Sequence, residues 1–270
     1  MKGKSIWVLG ATVALAAGII SCGGGSQPAE TPAAPAAGAP AAGAGKAVDA
    51  ATAGSVSGTI KFEGTPPKMR PINMAAEPSC AKIHTTPATT EDVVVGNGEA
   101  LQNVVVYLKG DFSQYSLPPA STPAMLDQRG CQYSPHVVAL QVGQALNVTN
   151  SDTTTHNIHP VPMNNREWNQ SQPPGAAPLN ETFAREEMAV PVKCNVHPWM
   201  KSYIAVVGNP YFQVTGADGK FTLKNVPPGT YTLTAWHESL GSMDQMVTVG
   251  ASENKAGIEI EFKPKTAGAD

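Results

Sequence analysis

Charged residues are scarce in this chain. They make up 14% of the sequence, against about a quarter in typical domains. The formal net charge is -3, and removal of a segment containing Lys2 and Lys4 changes the balance of 18 basic and 21 acidic residues to 16 and 21, a net charge of -5. Because the chain also lacks a polybasic patch, we expect neither a nucleic-acid partner nor electrostatic binding to a membrane surface.

The chain has no long stretch of helical periodicity and no comfortable membrane span. The apolar run of residues 6–20 is too short for such a span, and it follows Lys2 and Lys4, which is the pattern of a secretory signal peptide. From Val56 onward, short apolar alternations are separated by Gly, Pro, Asn and Asp. These patterns predict an exported, all-β protein.

The end of the apolar run has a candidate lipidation site. The sequence Ile19-Ile-Ser-Cys22 resembles a bacterial lipobox, in which the Cys becomes the lipidated first residue of the mature protein. That resemblance implies a lipoprotein signal peptide over residues 1–22, a membrane anchor and a location in the cell envelope facing the periplasm. Gly23 stands where Asp favours the inner membrane, so the outer membrane is preferred. Cleavage at a small-residue site, with Cys22 incidental, is the alternative.

Residues 23–55 are rich in Ala, Pro and Gly. The segment has no aromatic residue, Leu, Ile or Met, so it cannot bury a core. We interpret it as a disordered tether that holds a folded region away from a membrane.

The motif with the clearest chemistry is Cys194-Asn-Val-His197-Pro-Trp-Met200, which places a thiolate, an imidazole and a thioether within seven residues. Zinc makes little use of a thioether, whereas two His and one Cys with a weak axial Met form a blue-copper site. The missing imidazole is expected from the segment His156-Asn-Ile-His159, on a strand end upstream. The motif therefore predicts copper bound by His156, Cys194, His197 and Met200.

The spacing Cys-x-x-His-x-x-Met, with Pro directly after the His, resembles the copper-ligand loop of the amicyanin-type cupredoxins. The likeness extends over residues 130–208 and includes a strand, a turn at Gly143, a second strand and the His-Asn-x-His segment. The resemblance selects His156 over His159 as ligand. It also implies that the backbone NH of Asn157 hydrogen-bonds to the Cys194 sulfur, and that electrons pass through the edge of His197, which lies beside Pro198 and Trp199.

Two of the four cysteines have no role in these assignments. Cys22 is assigned to lipid and Cys194 to metal, which leaves Cys80 and Cys131 in an oxidising compartment. We predict a disulfide between them, which would close a loop of about fifty residues and add several kcal/mol of stability. A second redox or metal site that uses Cys80 with His84 is the minor alternative, because its spacing suits neither zinc nor haem.

The remaining histidines are not predicted to bind metal. Each has a local context that favours a structural or surface role, although the spacing of His159 leaves an alternative ligand role open. They are His84, His136, His159 and His237.

The alternating pattern predicts two β-sandwich modules. A cupredoxin-like Greek-key sandwich with an N-terminal β extension is expected over residues 56–208, with a long irregular connection at residues 163–178. Residues 209–264 repeat strand and turn signals and resemble the carboxypeptidase regulatory-like, prealbumin-type β-domain. The predicted strands are residues 56–63, 102–109, 136–142, 145–150, 189–193, 203–207, 212–215, 220–224, 231–237, 245–249 and 257–262.

The resemblance implies a periplasmic protein with one type 1 copper that carries single electrons. Its expected partner is a redox protein such as a c-type cytochrome or a periplasmic dehydrogenase. An enzymatic role is not expected, because two His, Cys and Met leave no open position for a substrate. Copper binding or delivery without electron transfer, and a metal-free scaffold or adhesion module, are the alternatives.

Overall fold

The computed structural model describes residues 45–264 of the 270-residue chain. The predicted signal peptide, the lipidation site at Cys22 and most of the predicted tether lie outside the described residues. Within them, a four-residue helix α1 (Pro78–Ala81) and a 3-10 turn (Asn97–Glu99) accompany sixteen strands. The strands are β1 Gly54–Phe62, β2 Val105–Lys109, β3 Ala124–Arg129, β4 Gln132–Ser134, β5 Val137–Gln141, β6 Ala145–Asn150, β7 His156–Pro160, β8 Gln170–Gln172, β9 Leu179–Thr182, β10 Glu187–Lys193, β11 Lys201–Val207, β12 Phe212–Val214, β13 Lys220–Val226, β14 Gly229–His237, β15 Gly241–Val249 and β16 Asn254–Phe262.

The strands form four sheets that pack as two sandwiches. The central sandwich joins the sheet β5-β11-β10-β7-β8 to the sheet β4-β3-β6-β9, and the terminal sandwich joins β13-β1-β16 to β12-β2-β14-β15. Each pair of sheets encloses its own cluster of buried apolar side chains. The prediction of an all-β fold with two sandwiches is confirmed.

Alternation of side chains explains how the terminal sandwich forms. In β13, Phe221 and Leu223 are buried while Lys220, Thr222 and Lys224 are exposed. β16 follows the same rule, with Ile258, Ile260 and Phe262 buried between exposed glutamates. Successive side chains of a strand point to opposite faces, so this pattern directs one face of each strand to the core.

The terminal sandwich is built from both ends of the described chain. β1 pairs with β13 and, in parallel, with β16, while β2 pairs with β12 and β14. The central sandwich, β3 to β11, is therefore inserted between β2 and β12. A division of the chain at residue 208 separates β1 and β2 from the strands to which they are hydrogen-bonded.

The local strand predictions agree with the structure best where apolar alternation is long. Residues 145–150 coincide with β6, and the other predicted strands overlap observed ones. The predicted irregular connection contains the short strand β8, which pairs with β7. β8 is Gln-Ser-Gln, and its buried Gln172 hydrogen-bonds to Gln128 at 2.6 Å. Polar pairing of this kind leaves no apolar periodicity in the sequence.

The last residues of the predicted tether lie within the described part of the chain and contact the fold. The NH of Lys46 donates to the carbonyl of Gln114 at 2.9 Å, and Ser116 donates back to Lys46 at 2.9 Å. Residues 46–55 therefore pack against the folded part of the chain. No helix in the described part of the chain is long and apolar enough to cross a membrane.

The two sandwiches share a small apolar junction. Val105 and Trp236 of the terminal sandwich pack against Val137 and Ala205 of the central sandwich, and all four are buried. At its edge, His136 Nε2 lies 2.5 Å from a carboxylate oxygen of Glu238. Apolar burial and a buried ion pair thus connect β5 to the end of β14.

His237, which ends β14, makes stability depend on pH. Its side chain is fully buried, and Nε2 has no hydrogen-bond partner. Burial lowers the pKa of His237 to about 4, although the neighbouring Glu238 carboxylate opposes the shift. In the unfolded chain an unperturbed His has a pKa of about 6.5. His237 therefore contributes stability above that value, and the contribution is lost as the pH falls towards its folded pKa.

We expect this residue to account for up to about 3 kcal/mol of the loss of unfolding free energy on acidification from about pH 6.5 to 4. Urea unfolding over this range should show a shallower pH dependence for His237→Phe than for the wild type. The variant also lacks the hydrogen bond from the Ser239 NH to His237 Nδ1. That loss lowers its unfolding free energy equally at both ends of the pH range. The quantity to compare is therefore the slope of unfolding free energy against pH. Equal slopes for the two proteins would contradict the assignment.

Candidate metal centre

A tight loop between β10 and β11 carries three of the four predicted ligands. The NH of Met200 donates to the carbonyl of His197 at 2.9 Å, and the NH of Cys194 donates to the carbonyl of Met200 at 3.4 Å. The NH of His197 also points at the Cys194 sulfur, at 3.4 Å. These bonds fold the seven-residue motif back on itself, so that its Cys and His side chains converge.

The fourth predicted ligand, His156, begins β7 and reaches the same point. Donor atoms of His156, Cys194 and His197 all lie within 4.8 Å of one another, and the three residues are buried. His156 Nδ1 is 2.9 Å from His197 Nδ1, and the Cys194 sulfur is 3.9 Å from His197 Nδ1. The structure therefore brings together a thiol and two imidazoles that are about forty residues apart in sequence.

Asp152 fixes the orientation of His156. Its Oδ2 lies 2.8 Å from His156 Nε2, and the carboxylate also accepts 2.7 Å hydrogen bonds from the NH groups of Gly130 and Cys131. An ionised carboxylate only accepts, so His156 Nε2 carries a proton and neutral His156 presents a bare Nδ1. This is the arrangement by which a carboxylate prepares a histidine for metal ligation.

The facing nitrogens fit a bound cation. Two nitrogens that bind one ion at about 2.0–2.1 Å in tetrahedral geometry lie about 3.3 Å apart, so a small widening of the 2.9 Å between the Nδ1 atoms of His156 and His197 would admit an ion. Two bare lone pairs at this distance repel each other unless a proton or a metal ion lies between them. The donor set therefore fits a metal ion.

The surroundings of Cys194 favour the thiolate. Burial raises its pKa, but hydrogen bonds from the His156 side chain and from the backbone NH groups of His197, Asn157 and Val196 outweigh burial, so the pKa lies below its ordinary value. The NH of Asn157 is thus among the groups that lower the pKa of the Cys194 thiol. A thiolate is the form of Cys that binds metal.

The two histidines have opposite pKa shifts. Burial lowers the pKa of His156, but the Asp152 carboxylate and Cys194 outweigh burial and raise it above its usual value. Burial and the neighbouring His156 lower the pKa of His197. Without a metal, a proton therefore resides preferentially on His156 and can be shared with His197.

Met200 and Asn157 complete the surroundings of the triad. Met200 is fully buried in the same apolar cluster as Cys194. The side chain of Asn157 accepts a 3.0 Å bond from the NH of Asn195 and donates to Asn169 and Gln170. Asn157 therefore ties β7 to the ligand loop and to the segment that enters β8.

Neighbouring side chains cover the ring of His197, the expected route for electrons. His197 is 1% exposed, because Cys80 and Trp199 lie against its ring. Trp199, whose ring centroid is 5.2 Å from that of His197, is half-buried and lines a cleft of about 200 Å³. Trp199 is therefore the aromatic side chain next to His197 that reaches the surface.

The predicted Cys80–Cys131 disulfide is confirmed, with a Cα–Cα distance of 5.7 Å. Cys194 is the free cysteine of the described region. Cys131, Asp152 and His156 also form a cluster of metal-type residues. Because the sulfur of Cys131 is committed to the disulfide, this second cluster offers no thiolate ligand.

The other histidines make structural contacts. His84 Nε2 lies 2.8 Å from the carbonyl of Gly130, and His159 lies 2.6 Å from Glu167 and 3.2 Å from Asn195. His136 pairs with Glu238, and His237 is buried at the end of β14. The metal-type clusters of the described residues include none of these four.

Sequence reasoning missed two residues that shape the site. Asp152 follows strand β6 and precedes His156 by four residues, a weak signal that many surface turns share. Tyr133 donates from its hydroxyl to the carbonyls of Asn157, at 2.5 Å, and Lys193, at 3.1 Å. Its role depends on strands β4, β7 and β10 meeting, which the local sequence does not reveal.

Comparisons with known proteins match parts of the chain. Residues 186–256 match the family described as polysaccharide lyase family 4, domain II, a segment that runs from β10 into β16. No curated protein sequence matches the chain.

Three solved structures are similar over about a third of the chain. A Cu-containing nitrite reductase from Thermus scotoductus SA-01 is 19% identical over 36% of this chain and 24% of its own, with a TM-score of 0.30. A purple cupredoxin from Nitrosopumilus maritimus is 22% identical over 31% of this chain and 98% of its own, with a TM-score of 0.27. A methionine-to-alanine variant of amicyanin with Cu(I) is 17% identical over 37% of this chain and 97% of its own, with a TM-score of 0.28. The chain thus spans about a quarter of the nitrite reductase. Its own donor atoms decide what its site can bind.

Proposed function

We propose that this protein binds one copper ion, which Cys194, His156 and His197 would hold with Met200 as a weak fourth ligand, and that it carries single electrons. The observation that supports this proposal is the convergence of one thiol and two imidazoles, all buried, within 4.8 Å. Bound copper would supply a one-electron couple, Cu(II)/Cu(I), at a site shaped by this chain.

The donor set favours copper over zinc. Structural zinc sites use four strong ligands from Cys, His and carboxylates. The nearby carboxylate of Asp152 is occupied by the NH groups of Gly130 and Cys131 and by His156. The remaining donor on the loop is the soft thioether of Met200, and soft sulfur ligands suit copper.

Burial and cross-bracing favour electron transfer over copper delivery. His156, Cys194 and His197 are each at most 3% exposed, so an acceptor protein could not reach them without opening the loop. Asn157 and Trp199 tie that loop to β7 and to the turn at Cys131. A site held in this way keeps its ligands in place as the charge changes, whereas release of copper requires that they move.

The remaining parts of the proposal concern location and partner. Lipidation at Cys22 would anchor the protein to a membrane facing the periplasm, with the outer membrane preferred. The partner would be a redox protein such as a c-type cytochrome or a periplasmic dehydrogenase, and Trp199 offers a surface contact next to His197. The donor set leaves no coordination position for a substrate, so an electron carrier fits better than an enzyme.

The test is titration of the full-length protein with Cu(II), followed by absorption and EPR spectroscopy. We expect one copper per chain and an intense thiolate-to-copper band in the visible range. Cys194→Ser should lose the band, and His156→Gln should lose or greatly weaken it. His159→Gln is the matched control, because His159 lies on the same strand but bonds to Glu167 and Asn195.

Other outcomes would overturn the proposal. Stoichiometric copper without the band would favour copper handling, and no stoichiometric copper would favour a metal-free scaffold. A loaded protein that transfers copper to an apo-acceptor, but does not reduce and reoxidise reversibly with a c-type cytochrome, would exclude the electron-carrier role.

A further inference from the structure

The Cys80–Cys131 disulfide lies directly beside the candidate metal centre. Cys80 belongs to α1, Cys131 belongs to the turn between β3 and β4, and both residues are fully buried. A bridge that only stabilised the chain could join these segments anywhere along their length. Here each half of the bridge contacts a different part of the site.

Cys80 covers His197. Its sulfur is 3.8 Å from His197 Nε2, the nitrogen on the far side of the ring from Cys194 and His156. The segment that carries Cys80 is also held by noncovalent contacts, since Met74 packs in the central apolar cluster and His84 Nε2 lies 2.8 Å from the carbonyl of Gly130. α1 has four residues, of which Cys80 is the buried one, and the chain on either side closes on itself through the bond from the Ile72 NH to the Ala88 carbonyl. The disulfide is thus the covalent link that holds this segment against His197.

Cys131 supports His156 through Asp152. The NH groups of Gly130 and Cys131 each donate a 2.7 Å bond to the Asp152 carboxylate, which in turn holds His156 Nε2 at 2.8 Å. Both donors can point at one carboxylate because both residues have positive φ, +65° for Gly130 and +52° for Cys131. This conformation is unfavourable for a residue with a Cβ, and it persists where the surroundings impose it.

Cys131 also holds the ligand loop. Its carbonyl accepts a 3.0 Å hydrogen bond from Trp199 Nε1, and Trp199 lies between His197 and Met200 in sequence. One residue of the disulfide therefore contacts the loop and, through Asp152, the upstream histidine. The other residue contacts the downstream histidine.

We propose that the Cys80–Cys131 disulfide is a positioning element of the metal centre, which fixes the outer nitrogens of both imidazoles and so aims both Nδ1 atoms at the ion. This inference rests on the proposed copper-binding function. It assigns the bridge a role beyond stabilisation, since one covalent link restrains both the segment that covers His197 and the Gly130–Cys131 turn that bonds to Asp152 and Trp199.

The experiment compares the full-length wild type with the double variant Cys80→Ala/Cys131→Ala. Both cysteines are replaced because a single change would leave a free thiol at the site, either Cys131 beside Asp152 and His156 or Cys80 beside His197. Copper affinity is measured by competition with a chelator, and the thiolate-to-copper band and EPR spectrum are recorded on the folded protein. We expect affinity to fall by about 10- to 100-fold, the usual effect of removing groups that orient metal ligands, and the spectrum to change.

A matched control separates positioning from stability. Val247→Ala removes buried apolar volume in the terminal sandwich, far along the chain from the ligands. It should lower the unfolding temperature of the metal-free protein but leave the copper affinity and the spectrum unchanged. A folded double variant with wild-type affinity and spectrum would overturn the proposal, because a bridge that only stabilises the fold predicts that result.

Two further measurements keep the outcome decisive. If the double variant does not fold, Trp199→Phe retains the disulfide but removes the bond to the Cys131 carbonyl. A change in its spectrum would support positioning, and an unchanged spectrum would oppose it. Absence of copper binding by the wild type would instead defeat the proposed function, and the positioning role with it, before any variant is compared.

Discussion

Replacement of Asp152 by Asn is expected to weaken copper binding by about 10- to 100-fold, the range found when the hydrogen-bond partner of a metal-binding His is altered. The change is small in volume. Its effect follows from the three NH groups that converge on this carboxylate, those of Gly130, Cys131 and His156.

An amide in place of the carboxylate cannot satisfy these three donors together. If the amide oxygen faces Cys131 and His156, the NH2 group opposes the NH of Gly130. If the amide is reversed, its NH2 group faces the NH of Cys131 and forces His156 to accept at Nε2, which moves the ring proton to Nδ1. In that tautomer Nδ1 is no longer a free ligand.

Asp127→Asn is the matched control for this prediction. Asp127 is also a carboxylate on the central sandwich, but it accepts hydrogen bonds from the hydroxyls of Thr149 and Ser151 and contacts no predicted ligand. Chelator competition and the absorption spectrum should distinguish the two variants. If both bind copper as the wild type does, Asp152 does not orient His156.

Gly58→Ala is expected to lower the unfolding free energy by about 3 kcal/mol, at the upper end of the usual cost of overpacking. A Cβ on Gly58 would clash with the backbone oxygen of Ile258 and lie 2.8 Å from its carbonyl carbon. Gly58 and Ile258 are register partners in the parallel pair β1–β16. The clash is with backbone, so one strand must move to relieve it.

The prediction also tests how the terminal sandwich is assembled. If β1 closes that sandwich, the substitution should destabilise β13 to β16, although these strands lie more than 150 residues away in sequence. Gly216→Ala is the control, because a Cβ at Gly216 meets no atom within 4 Å. Urea unfolding with hydrogen exchange of the β16 amides gives the measurement. Equal stability of the two variants would mean that β1 does not pair with β16.

The sequence alone determined the properties that depend on neighbouring residues. Alternation such as that of β13 predicts strands, because strand side chains alternate between the two faces of a sheet. The Cys194–Met200 motif predicts three metal-type donors, because a short loop necessarily keeps them close. The pairing of Cys80 with Cys131 followed from assigning the other two cysteines elsewhere in an oxidising compartment.

Tertiary structure decided whatever depends on which strands meet. The site acquires Asp152 and Tyr133 because β4, β6, β7 and β10 converge, and a single Asp or Tyr in a turn or strand carries no sign of that convergence. His197 is buried because a distant disulfide brings Cys80 onto its ring. β1 pairs with β16 because the chain, after it has formed the central sandwich, comes back to the sheet that contains β1. Such contacts depend on side-chain packing and strand order across the whole chain, which local periodicity does not encode.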